Sequence, residues 1–363
     1  MKLTRAGALL ALALAAPAVA GCSGTAGADK AGGLAGGPVV LRMASASSYP
    51  PPPPVADFIR RVRMLSGGAV RIELINQWGN YAPSNEAQVI HAVATGQVDL
   101  GWAGSEAFDK VGAPGLRALS APMLIDSYPL ENAVLKTTIP ARMLAGLNQV
   151  HVAGLAVLGD ELRHPIAVRR PLLAPADWRG LSIGTYRSGI QEQAIRALAA
   201  TPVVAFGPYR VHYLATGAIQ GFELGLRTYI HVVPVPSARY VTANVTLWPL
   251  FDVLFANPAR LASLTGQQRG WLRQAAQQAT VNSVSLVARQ YGPNIRRACT
   301  LGAQFATATL ADLAALRSAF SPVYRGLEAD AQTGGFIRQI QQLKRATPPG
   351  PVPAIPAGCD ARK

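Results

Sequence analysis

Glu86–Trp102, "EAQVIHAVATGQVDLGW", decides the architecture. Val89, Ile90 and Val93 fall on one face of a helix expected over Asn85–Ala94, Gly96 closes that helix, and Val98–Trp102 follows as an apolar strand. A helix, a glycine stop and a buried strand in this order form the second half of a βαβ unit. Working outward, Val39–Ser45 and Ala69–Ile75 are short apolar strands. They flank a helix carrying Val55, Phe58, Ile59, Val62 and Leu65 at helical spacing, which ends at Ser66-Gly67-Gly68. The proline run Pro50–Pro54 delays that helix until about Val55.

The same rhythm resumes after an apolar loop at Ala118–Leu124. Strands are expected at Val150–Leu158, Leu181–Tyr186 and Val203–Phe206, a turn at Pro175–Gly180, and helices at Gly189–Ala199 and Tyr209–Thr216. Ala218–Phe222, Val241–Leu247 and Phe251–Ala256 are strand-like, and from Thr265 the chain is mainly helical. Two α/β halves followed by a helical closing section are therefore expected.

The N-terminus has the form of an export signal. Lys2 and Arg5 precede an uncharged Ala/Leu-rich run from Ala6 to Ala18, too short to span a bilayer. Val19-Ala20-Gly21-Cys22 resembles the lipobox of bacterial lipoproteins, which implies cleavage before Cys22 and acylation of its sulfur. An ordinary signal peptide with an incidental cysteine would export the chain without anchoring it. Ser23–Gly37 is mostly Gly, Ala, Ser and Thr, a composition suited to a flexible tether.

The chain carries 34 Lys+Arg against 19 Asp+Glu, a formal net charge of +15, which falls to about +13 once Lys2 and Arg5 are removed. The arginines occur singly or in pairs such as Arg60-Arg61, Arg169-Arg170 and Arg296-Arg297, without an aromatic-rich basic stripe, so nucleic acid is not the expected partner. An anionic surface or an anionic small solute fits better. With Cys22 acylated, Cys299 and Cys359 remain, either as a disulfide or as two unpaired thiols.

Three stretches read together resemble the solute-binding subunits of tripartite ATP-independent periplasmic (TRAP) transporters. They are Glu86–Trp102 with "ALSAPML" at Ala118–Leu124, "PADWRGLSIG" at Pro175–Gly184 beside the family's "peDlkGlkiR", and "LATGAIQGFE" at Leu214–Glu223 beside "aLq.GavDG.E". The resemblance implies an α/β fold of the two-lobed periplasmic-binding-protein kind (type II-like), with a hinge and C-terminal helices. The expected division is a signal peptide at 1–21, a tether at 22–37, a first lobe from 38–160 plus about 250–290, a second lobe from 161–249 plus about 291–347, and an irregular tail at 348–363. It implies capture of a small, anionic organic solute in an interlobe cleft and delivery to integral-membrane transporter subunits.

The departures bear on the ligand. Where the family holds a carboxylate with the arginine of "GlkiR", this chain has Gly184, and the Asp of "DG" is Gln220. Arg163 lies within one residue of a second family arginine, and Arg187 could compensate if its loop turns inward. Ligands of such folds sit beyond the carboxyl ends of the strands, which makes Ser45, Ser105, Glu106, Arg163, Tyr186, Arg187, Phe222 and Glu223 the candidate ligand residues. Each has a plainer reading: a surface salt bridge for the arginines, a turn for the serines, a helix cap for the glutamates, core filling for Tyr186 and Phe222. Trp102 and Trp178 are read as packing residues.

No HExxH, GxSxG, GxxxxGK[ST] or GxGxxG pattern occurs, and His91, His151, His164, His212 and His231 are isolated from one another. Neither a cofactor nor a metal site is expected. An exported hydrolase with dispersed catalytic residues and an adhesive or structural surface lipoprotein remain as rival classes.

Overall fold

The computed structural model describes residues 37–47 and 50–361. The expected signal peptide, the acylated Cys22 and nearly all of the tether lie outside the described residues. Pro38–Lys363 forms one compact unit.

The chain opens with β1 (Val39–Ala44), α1 (Pro53–Leu65), β2 (Val70–Ile75), α2 (Asn85–Ala94) and β3 (Leu100–Gly104). β1 runs parallel to both β2 and β3, as the βαβ reading requires. α1 starts two residues earlier than the proline run suggested, because proline is tolerated in a first helical turn, whose N–H groups have no intrahelical acceptor. Gly96, at φ +76°, closes α2. Two 3₁₀ segments, Ser105–Val111 and Pro114–Ser120, come next, the second running into the start of the expected apolar loop at Ala118–Leu124. α3 (Tyr128–Leu135) and α4 (Ile139–Ala145) follow.

β4 (Ala153–Ala167) is the backbone of the molecule. Its first part pairs antiparallel with β9 (Trp248–Ala256) and its last four residues with β7 (Gly221–Leu224), with register shifts at Gly154/Ala156 and Gly159/Leu162. The sequence reading ends this strand at Leu158, before the charged stretch Asp160-Glu161-Leu162-Arg163-His164, which β4 includes. Asp160, Glu161, Arg163 and His164 are all buried, each held by partners from other elements. His164, for example, contacts the Val245 carbonyl through Nδ1 (2.9 Å) and the Tyr291 hydroxyl through Nε2 (3.0 Å).

The chain continues through α5 (Pro175–Trp178), β5 (Ser182–Thr185), α6 (Gly189–Ala197), β6 (Thr201–Val204), α7 (Pro208–Thr216), β7 (Gly221–Leu224), α8 (Leu226–Val232), β8 (Tyr240–Thr242) and β9 (Trp248–Ala256). The sheet order β2-β1-β3-β9-β4-β7-β5-β6 places the first βαβ unit at one end and the second at the other, with β9 and β4 running between them. One core gathers Leu41, Phe58, Leu100 and Leu254 on the first side. Another gathers Ile166, Ile219, Phe222 and Tyr229 on the second.

The closing section comprises α9 (Pro258–Ser263), α10 (Gly266–Thr300), β10 (Gln304–Ala306), α11 (Leu310–Ala319), α12 (Ser321–Glu328) and α13 (Ala331–Ala346). α10 begins with a capping box between Thr265 and Gln268. It packs along α1 and β4 and reaches α8, so one helix touches both sides. Residues 291–347 were expected wholly in the second lobe. α13 instead lies on the 3₁₀ segment Pro114–Ser120 and on α3, and Lys344 donates to the Met123 and Leu124 carbonyls (2.7 and 2.9 Å). Cys299, at the end of α10, is joined in a disulfide to Cys359, with Cα atoms 5.7 Å apart, and Cys359 is buried.

Candidate functional site

A cavity of about 320 Å³ lies where strands from both sides end. β1 runs into it at Ala46 and Ser47, β3 at Gly104 and Glu106, β5 at Tyr186 and β6 at Phe206 and Gly207, while α8 brings Arg227 and Thr228 after β7. Asp160 of β4 and Asp252 of β9 form the floor, and Pro50–Pro53 form part of the rim. This is the crevice beyond the carboxyl ends of the strands that the fold class predicts.

Of the candidate residues, Glu106 and Tyr186 line the cavity. Arg163 and Glu223 stand behind them as a buried ion pair. The Arg163 Nε–H donates to the Glu223 carboxylate and Nη2 to the Glu223 carbonyl (3.0 Å), with the guanidinium 4.1 Å from the Tyr186 ring centre. The same carboxylate accepts from Thr185 Oγ1 (3.0 Å) and Trp248 Nε1 (3.2 Å), so Glu223 is engaged within the protein, and it does not line the cavity.

Other expectations change. Arg187 is exposed and outside the cavity lining, because the loop after β5 turns outward. Phe222 is core, packed on Tyr229. Ser45 is buried, accepting from the Ser47 N–H (3.0 Å), and neither it nor Ser105 lines the cavity. Trp102, read as packing, does line it.

Sequence reading missed Glu86, Asp160, Arg210, Arg227 and Asp252, all of which line the cavity. The acids carried a usable signal. Asp252 interrupts the apolar run "WPLFDVLFA" and Asp160 follows one, and a charge at such a place is either an error in the strand or a site. Arg210 carried none, since an arginine in the first turn of a short helix reads as solvent-facing.

Polar groups without partners converge here. Trp102 Nε1, Glu106 Oε1, Arg210 Nε, Arg227 Nε and both oxygens of Asp252 are buried and have no hydrogen-bond partner. Such orphaning is costly and rare outside sites that receive something. Arg227 is otherwise satisfied, with Nη2 3.2 Å from Asp160 and 3.5 Å from Glu161.

Burial dominates the electrostatics. It pushes Glu106 up to about 8, helped by the neighbouring Glu86 charge and opposed by Arg163. It pushes Asp160 up to about 7 against the pull of Arg227, and raises Asp252, with the Asp160 charge adding to the effect. Glu86 is raised for the same reason, although it accepts from the Gly104 N–H (3.0 Å).

Gly184 lies in β5 with its missing side chain directed at Ile219 Cδ1 (3.0 Å from an ideal Cβ), Phe222 Cβ (3.3 Å) and Ala205 Cβ (3.5 Å). The Arg210 guanidinium occupies that neighbourhood, donating to the Ala205 carbonyl (3.0 Å) and standing 5.8 Å from the Phe222 ring centre. Among the described residues no group of three or more His, Cys, Asp or Glu could hold a metal ion, and no helix is long and apolar enough to cross a membrane.

Comparison with solved structures gives the same two-lobed architecture. A TRAP periplasmic solute-binding protein from Sulfitobacter sp. NAS-14.1, with β-D-galacturonate bound, superposes with a TM-score of 0.74 at 16% identity, covering 84% of this chain and 99% of that one. One from Roseobacter denitrificans, with β-D-glucuronate bound, gives 0.73 at 18% over 85% and 100%. One from Polaromonas sp. JS666, bound to D-erythronate, gives 0.72 at 19% over 84% and 98%. No curated protein matches the chain in sequence. The family model described as bacterial extracellular solute-binding protein, family 7, matches residues 46–330. With that match over most of its length, and with a cleft built where this fold places its ligand, the chain belongs to the family 7 bacterial extracellular solute-binding proteins.

Proposed function

We propose that the protein captures a small organic acid in the cleft between β3/β9 and β5/β7, without transforming it, and hands it to integral-membrane transporter subunits of the TRAP kind. The observation that carries this reading is the set of buried, partnerless donors and acceptors facing one cavity of about 320 Å³, a volume suited to a small metabolite. The solved relatives named above carry carboxylate ligands, which supports an acid over a neutral sugar. The reading includes export and acylation at Cys22, which would hold the folded unit at the outer face of the cytoplasmic membrane through the 22–37 tether.

Thermal-shift titration of the purified protein with sugar acids, aldonic acids, short hydroxy acids, amino acids and neutral sugars tests it. A saturable rise in melting temperature is expected with at least one acid, because a ligand at about 100 times its Kd stabilises the native state by roughly 2.7 kcal/mol. NMR of the incubated ligand should show it unchanged. No saturable shift with any solute would overturn the reading, and chemical conversion would restore the hydrolase alternative.

A further inference from the structure

Three arginines surround the cleft, and they differ in what neutralises them. Arg163 is paired with Glu223, and Arg227 with Asp160 and Glu161. Arg210 is only 3% exposed, yet among the described residues its guanidinium forms no ion pair. It donates to the Ala205 carbonyl (3.0 Å) and lies 5.7 Å from the ring centre of Tyr186 and 5.8 Å from that of Phe222, while its Nε is buried without a partner at the cavity. A desolvated charge in this state costs several kcal/mol unless a counter-ion completes it. Across the cavity, Asp252 offers two partnerless oxygens and Glu106 one.

We propose that Arg210 is the anchor for the ligand's carboxylate, and that the rest of the ligand bears hydroxyl or ammonium groups that donate to Asp252 and Glu106. This proposal rests on the solute-capture reading. A guanidinium presents a planar fork of N–H donors that matches a carboxylate, and the Tyr186 and Phe222 rings hold that fork in place. The bound class is then a polyhydroxy or amino acid, oriented with its acid end toward α7 and its donor-bearing end toward β9.

Calorimetry with D-glucuronate, D-erythronate and L-serine, beside D-glucose, erythritol and hexanoate, tests both halves. Arg210→Met is expected to weaken the best-bound hydroxy or amino acid by about 10- to 100-fold, while Arg187→Ala, outside the cavity, leaves it unchanged. Asp252→Asn should erase the preference for a hydroxy or amino acid over hexanoate. The melting temperature of unliganded Arg210→Met should not fall, since the substitution removes a buried uncompensated charge. If that variant does not fold, Arg210→Lys decides, because it keeps the charge and loses the fork. It should cost about tenfold, and undiminished affinity would overturn the proposal. Acid binding by Arg210→Met within about twofold of wild type, hexanoate bound as tightly as the hydroxy acids, or binding of neutral sugars only would also overturn it while leaving solute capture standing. Failure of every solute to bind would remove the capture reading and this proposal together.

Discussion

Glu223 and Arg163 show how a residue can match a family pattern and still not line the cavity. Both are buried, and Glu223 is shared by Arg163, Thr185 and Trp248, so the pair is built into the wall on which Tyr186 rests. Removing the Arg163 charge leaves a buried carboxylate without its counter-ion. Arg163→Met should therefore destabilise the fold by about 3–5 kcal/mol, read as a lower urea midpoint, and not act as a clean binding variant. Glu106 gives a second test. Burial keeps it protonated up to about pH 8, whereas the unfolded chain ionises it near the ordinary value of 4.5. Between those values the folded state retains a proton that the unfolded state has released, so stability falls as pH rises through the window and levels off above it. Asp160, pushed up to about 7, acts in the same direction. Glu106→Gln should flatten the decline in melting temperature between about pH 5 and 8, and an unaltered decline would contradict the assignment. At this scale the sequence revealed the loss at Gly184 but not its counterpart. Arg210 is buried only because α7 turns that face toward Tyr186 and Phe222, a tertiary fact without a local signature.

Elements were more legible than side chains. α2 spans the residues its periodicity predicts, and β1, β2 and β5 start and stop close to their glycine and proline punctuation. β4 was read only as far as Leu158, short of the charged stretch Asp160–His164 that it carries. Here Glu161 accepts from the Thr228 N–H at the start of α8 (3.1 Å), and Asp160 pairs with Arg227, so long-range partners keep the strand going. Contacts between elements also join the two sides. The Gly189 N–H at the start of α6 donates to Asp109 Oδ2 (3.1 Å), in the 3₁₀ segment Ser105–Val111, and Lys110 pairs with Glu192 of α6 (3.6 Å). These contacts join the segment after β3 directly to α6, outside the cavity lining. Asp109→Ala should cost about 1 kcal/mol of closure, seen as roughly fivefold weaker ligand binding and a larger radius of gyration in scattering of the liganded protein. Unchanged affinity and radius would assign Asp109 to local structure alone.

In the molecule as a whole, the second side ends in a covalent tie. The disulfide closes a loop of 60 residues, so that α11, α12 and α13 are strung between two fixed points. On the chain-entropy estimate this is worth about 4 kcal/mol. Cys299→Ser with Cys359→Ser, or mild reduction, should lower the melting temperature by a corresponding amount, and an equal melting temperature would show that the tail contributes nothing to stability. Long-range arrangements of this kind, like the crossing of α13 to Pro114–Ser120, have no periodic trace in the sequence and emerge only from packing. The proline run at the cleft, by contrast, is visible in both. Pro50–Pro53 line the mouth of the cavity with torsions fixed by their own rings near −65°. A flexible rim would have to surrender conformational entropy each time it closed over a solute, and that loss would be subtracted from affinity. This rim has little φ freedom to surrender, so the contacts it makes count toward retention.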